Sequence, residues 1–209
     1  MHVVLLGDSI FDNRAYVAPA PDVLAQLRAV LDAAWTASLL AVDGHVTADV
    51  HERQLQHLPP DATHLVLSVG GNDALGRASV LGERVGSVGE AVGALDAARE
   101  PFKRAYRRTL DALAETGLPV TVCTIYDANF AGSQGRIITA ALCLFNDVIT
   151  REAFARGLSL IDLRLICDRP EDYANPIEPS ARGGAKIAGA IAAMLRAAPP
   201  GRSRVWAHG

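Results

Sequence analysis

The sequence predicts an α/β protein with one five-stranded parallel sheet and helices on both of its faces. Apolar runs alternate with helical patterns along all 209 residues. The runs are continuous, as in "HLVLSV" and "VTVCTI", not alternating, and this is how strands buried on both faces read. Repeated β/α units imply parallel strands joined by crossover helices.

The first strand is His2–Asp8, and Pro21-Asp22 opens a helix carrying Val23, Leu24, Leu27, Val30 and Leu31. Thr36–Val42 is the second strand, Val46–Leu58 a helix and Thr63–Gly70 the third strand. Ala74–Glu100 is too long for a βα loop, and its glycines weaken a helical spacing of valines and leucines. It reads as a mobile insertion on the carboxyl edge of the sheet, or alternatively as a surface helix with no role. The helix Pro101–Glu115 stops at Gly117 with Pro119 beyond it, a C-terminal signal. Strand Val120–Tyr126, helix Arg136–Arg156, strand Ser159–Leu165 and helix Ala185–Arg196 complete the series. Residues 1–198 form a single domain, and 199–209 a polar, loosely held tail.

A net charge of −3 gives no electrostatic grip on nucleic acid or anionic lipid, and no apolar run reaches the ~20 residues of a bilayer span. A small molecule is the expected partner, and the sequence leaves the oligomeric state open. Met1-His2 leads straight into a strand, with no basic region or cleavage site of a secretory signal. Cys123, Cys143 and Cys167 are odd in number and sit in apolar segments, as reduced buried thiols do. The expected compartment is the cytoplasm.

In an open α/β sheet ligands bind outside the carboxyl ends of the strands. Those ends carry Gly7-Asp8-Ser9, Asp43-Gly44-His45, Gly70-Gly71-Asn72-Asp73 and Tyr126-Asp127. Acyl transfer needs a nucleophile, donors for an oxyanion and a base. Ser9 is the candidate nucleophile, and the Gly44 N–H and Asn72 amide are candidate oxyanion donors. The G-x-S-x-G elbow of α/β-hydrolases is absent. Asp8 is grouped with the oxyanion and substrate-binding candidates, and is expected to hold the turn around Ser9 rather than to act directly; Asp12, Asn13 and Asp73 are expected to cap helices, with substrate binding as the alternative. Gly70-Gly71 lacks the Lys and Ser/Thr of a phosphate loop. Asp8, Asp12, Asp43, Asp73 and Glu178 lie near one edge, but no His/Cys spacing supports a metal there. Neither metal nor cofactor is expected.

"GDSI", the glycine of "VDGHVTADV" and "GGND", in this order and each after a strand, resemble the blocks of the SGNH (GDSL) hydrolase family. The resemblance covers most of the chain. It implies a three-layer flavodoxin-like fold and ester or thioester hydrolysis through an acyl-serine. It makes Ser9 the nucleophile, with the Ser9 N–H, Gly44 N–H and Asn72 side chain as oxyanion hole. The family's last block reads Asp-x-x-His-Pro, but here the matching segment is Asn175-Pro176-Ile177-Glu178-Pro179. Glu178 stands where the histidine belongs and Asn175 where the aspartate belongs. The paired change is chemically coherent if Glu178 is the base and the Asn175 amide donates to its carboxylate. Burial must then lift Glu178 from ~4.3 towards ~7. His45 is the alternative base, while the remaining histidines read as structural or solvated. Two rival functions share the pocket: a binding protein that has lost the chemistry, and an acyltransferase.

Overall fold

The computed structural model describes residues 1–197 and the backbone of 205–206. In chain order the elements are β1 (His2–Gly7), α1 (Arg14–Val17), α2 (Val23–Val30), β2 (Thr36–Leu39), α3 (Thr47–Asp49), β3 (His64–Ser68), α4 (Gly71–Leu75), α5 (Val88–Glu115), β4 (Val120–Cys123), α6 (Gly132–Ala155), β5 (Ser159–Ile161), β6 (Tyr173–Asn175), β7 (Glu178–Pro179), α7 (Ala181–Arg196) and β8 (Val205–Trp206). The five expected strands are all there. They pair in parallel in the order β2-β1-β3-β4-β5, each ending where the chain bends into its carboxyl-edge loop.

The side chains of β1 show why the strands read as continuous apolar runs. Val3 and Leu5 point into one core with Phe11, Val23, Leu27, Ile187 and Ile191, beneath α2 and α7. Val4 and Leu6 point into the other, with Tyr106, Leu110, Val148 and Ile149, beneath α5 and α6. With period-2 geometry and a core on each side, most positions of the central strands are apolar, and the buried polar ones, Ser68 in β3 and Thr121 in β4, are small.

Three expectations are corrected. Val46–Leu58 is not one regular helix: α3 passes into a π turn at Val50–Gln54 and a 3₁₀ turn at Leu55–His57. Pro101 does not start a helix but lies inside the 28-residue α5. The true start is Ser87, whose Oγ accepts from the Glu90 N–H, while the Glu90 carboxylate accepts from Gly86 N–H, a variant of the capping box. The supposed insertion is therefore α4, a 3₁₀ turn at Ala78–Gly82 and the first half of α5. Third, the tail holds a sixth strand, with Val205 and Trp206 pairing in parallel with Leu160 and Ile161 of β5. Residues 199–204 and 207–209 of the expected tail, and residue 198 of the expected domain, lie outside the described residues.

Candidate active site

The order 2-1-3-4-5 reverses direction between β1 and β3, and their carboxyl ends form the crevice where ligands of such sheets bind. Gly7 ends β1 at φ +130°, and a Cβ there would lie 1.7 Å from the Ser68 carbonyl oxygen of β3, so only glycine fits. Asp8 N–H then donates to the Ser68 carbonyl (3.2 Å), and the Asp8 carbonyl accepts from Phe11 and Asp12 N–H (3.2 and 3.1 Å). This tight turn presents Ser9.

The segment that follows Asn175 is a two-residue hairpin in which Asn175 of β6 pairs with Glu178 of β7. It brings Glu178 against the nucleophile turn, and Ser9 Oγ donates to Glu178 Oε1 at 3.0 Å. Both residues are only 6% exposed. Glu178 Oε2 is buried with no hydrogen-bond partner among the described residues. Burial pushes the Glu178 carboxyl up to about 7, opposed by the Ser9 hydroxyl and assisted by the nearby Asp43 charge.

The hairpin corrects the role expected of Asn175. Its Oδ1 accepts from the backbone N–H of Ile177 (2.9 Å) and of Glu178 (3.0 Å). No bond runs from its amide to the Glu178 carboxylate. Asn175 thus shapes the turn that carries Glu178, as Asn before a turn does, and does not touch the carboxylate itself.

Asp8 Oδ1 accepts from Ile10 N–H at 3.2 Å. Burial pushes it up to about 8, against the pull of that backbone bond and with some help from Glu178. Asn13, fully buried, accepts from Val23 N–H at the start of α2 and donates to the Pro179 carbonyl (3.0 and 3.3 Å), tying the Glu178 strand to the nucleophile turn. Asp73 accepts from Thr47 N–H and Oγ1 at the start of α3. Asp12 accepts from Asp43 N–H, so it braces a loop and caps no helix.

Gly44 sits in an exposed turn at φ +82°, closed by His45 N–H on the Val42 carbonyl. The Asn72 amide donates to the His45 carbonyl at 2.9 Å, which joins the second and third strand ends. Ser9, Asn72, Asp8 and Glu178 line one cavity of about 260 Å³; Gly44, His45 and Asn175 do not line it.

No motif marks Gln54, yet it holds these edges together. Its Oε1 accepts from Gly7 N–H (2.8 Å) and its Nε2 donates to the Gly7 carbonyl (2.7 Å). That double bond fixes the amide orientation, so Nε2 must also be the donor to His45 Nδ1, 3.0 Å away. His45 is therefore bonded to Gln54, whereas the Ser9 hydroxyl is bonded to Glu178. Three other histidines have partners elsewhere, His2 on Ser38, His51 on Thr109 and His64 on Thr63, and His57 is exposed. His208 lies outside the described residues. Of the cysteines, Cys123 and Cys167 are buried as expected, but Cys143 is exposed, on the outward side of α6.

Chemically, the arrangement joins a hydroxyl to a carboxylate of near-neutral proton affinity, beside an amide donor and an apolar cavity. No curated protein sequence matches the chain. Solved structures similar to it include an extracellular lipase from Streptomyces rimosus, at 19% identity over 95% of this chain and 100% of that one, with a TM-score of 0.68. A phospholipase A1 from Streptomyces albidoflavus is 19% identical over 94% and 99%, with a TM-score of 0.64. A catalytic mutant of an acetylxylan esterase from Geobacillus stearothermophilus is 15% identical over 93% and 94%, with a TM-score of 0.66. At these identities the likeness is one of fold. The sequence itself matches the GDSL-like lipase/acylhydrolase family over residues 5–186. The chain belongs to that family and is a carboxylic ester hydrolase.

Proposed function

We propose that the protein hydrolyses an ester or thioester through an acyl-Ser9 intermediate, with Glu178 as its base. The observation that carries this is the 3.0 Å bond from Ser9 Oγ to Glu178 Oε1. In the ionised form Glu178 takes the hydroxyl proton as Ser9 Oγ bonds to the substrate carbonyl carbon. The carbonyl oxygen becomes an oxyanion facing the Ser9 N–H and the Asn72 amide. Collapse breaks the bond to the leaving alcohol or thiol, which receives the proton back from Glu178. Water, deprotonated by the same carboxylate, then releases the acid. Burial raises the Asp8 carboxyl further than that of Glu178, so of the two Glu178 gives up its proton first.

Asn175, Asn13 and Gln54 act through the backbones they hold. The chemistry asks for no metal or cofactor. No helix of the described residues is long and apolar enough to cross a membrane, and we place the protein in the cytoplasm on its three free cysteines.

The test is to mix the protein with an activated ester, quench within one turnover and measure the intact mass. A transient acyl adduct that disappears in Ser9→Ala supports the reading. Full turnover by Ser9→Ala would overturn it. Ligand affinity without an adduct identifies a binding protein, and acyl transfer to an added alcohol in preference to water identifies a transferase.

A further inference from the structure

The hairpin that carries Glu178 has its tip, Pro176-Ile177, on the surface, and a two-stranded ribbon this short has little stability of its own. The bonds of Asn175 to the Ile177 and Glu178 N–H groups fix the turn, but not where the turn stands over Ser9. Groups from other elements do that, at the carbonyls. Asn129 N–H, in the loop after β4, donates to the Pro176 carbonyl at 2.8 Å. The Tyr126 hydroxyl, from the same loop, donates to the Ile177 carbonyl at 2.7 Å. The Asn13 amide donates to the Pro179 carbonyl at 3.3 Å. The carbonyls of both neighbours of Glu178 are thus held by buried side chains, one from the fourth strand end and one from the nucleophile turn.

Tyr126 is 4% exposed, and its ring lines the same cavity as Ser9 and Glu178. The ring meets Tyr173 of β6 edge-on, with centroids 5.1 Å apart, and the Tyr173 hydroxyl donates to the Asp127 carbonyl at 2.6 Å. The latch is therefore reciprocal: each tyrosine bonds the backbone of the segment that carries the other. Burial holds the Tyr126 hydroxyl well above its ordinary value, so it stays a donor. We infer that Tyr126 is a positioning residue for the base, setting through the Ile177 carbonyl where Glu178 stands against Ser9. Without that hydroxyl the exposed tip can turn its carbonyl to water, and the peptide next to Glu178 turns with it. The Ser9–Glu178 bond, at 3.0 Å, has little room to lengthen before proton transfer fails, and a displacement of about 1 Å can cost on the order of 100-fold. The inference rests on the reading of Glu178 as base, and the test separates the two.

Tyr126→Phe keeps the ring on the cavity wall and removes only the bond. It should lower kcat on an activated ester at least about tenfold, with KM changed by less than about twofold. In a Glu178→Gln background the same change should cost less than about twofold, because no base is left to misplace. Tyr173→Phe breaks the other half of the latch and should show the same dependence on Glu178. Tyr106→Phe removes a buried hydroxyl that has no partner among the described residues, and should keep the parent kcat. Parent kcat in Tyr126→Phe, or an equal loss with and without Glu178, would overturn the positioning role. Full kcat in Glu178→Gln alone would discard Glu178 as the base, and the positioning role with it.

Discussion

Glu178 is a carboxylate whose proton affinity is set by burial, with a hydroxyl as its one hydrogen-bond partner on Oε1 and none on Oε2. With its carboxyl at about 7, the basic form grows as pH rises through neutrality. The rate should rise with it, with a midpoint near 7 where an ordinary glutamate would give one near 4.5. A histidine base would titrate in the same range, so only variants separate the two. Glu178→Gln should lower kcat/KM by about 10³-fold, within the span of general-base contributions, and His45→Ala by about tenfold at most. Steady-state kinetics on one ester checks both. Asp8 has a different consequence. Its carboxyl rises from 3.8 to about 8 on folding, so the native state holds a proton that the unfolded chain releases. The favourable contribution is complete below pH ~4 and is lost as pH rises towards 8. Asp8→Asn keeps an oxygen for Ile10 N–H and needs no proton. It should match the parent melting temperature at pH 4 and exceed it by several degrees at pH 8, read by thermal melts at both values. The sequence made Ser9 and Glu178 legible through strand-end position and block order. The atom that Asn175 uses was not legible, because it depends on whether the hairpin or the carboxylate claims the side chain.

At the scale of elements, local chemistry and tertiary packing divide the outcome. The start of α5 was written in "SVGE", a Ser-x-x-Glu signal that outweighs the glycines and the proline downstream. Ser87→Ala should cost the helix end about 1 kcal/mol and speed amide hydrogen exchange across residues 88–100, measured by mass spectrometry. The change of pitch after α3 left no trace in the spacing, since apolar periodicity is nearly the same for α and π turns over so few residues. Yet the π turn carries Gln54, whose amide ties Gly7 to His45, and π turns recur at functional sites. Gln54→Leu removes the clamp while filling its volume. It should lower kcat by 10- to 100-fold with little change in KM, because the clamp lies behind the oxyanion donors. That KM-against-kcat split is the measurement.

For the whole molecule, the fold class was legible because the central strands β1, β3 and β4 are buried on both faces, which leaves long apolar runs, whereas the edge strand β2 is only partly buried. In the observed order β2-β1-β3-β4-β5, the reversal between β1 and β3 puts three strand ends around one crevice. Strand β8 was hidden because its apolar stretch, Val205-Trp206-Ala207, is three residues long, below any periodic signal. The fourth participant arrives from 169 residues away in sequence, and the most direct test asks whether it governs the nucleophile. Ser9 phosphonylation by a fluorophosphonate should be followed by intact mass from pH 5 to 9 in the parent, Glu178→Gln and His45→Ala proteins, with Ser9→Ala as the blank. We predict one adduct, absent from the blank. Its rate should rise through a midpoint near 7 in the parent and in His45→Ala alike, and Glu178→Gln should be slow and flat. If Glu178→Gln is labelled as fast as the parent with the same pH profile, Glu178 is not the base.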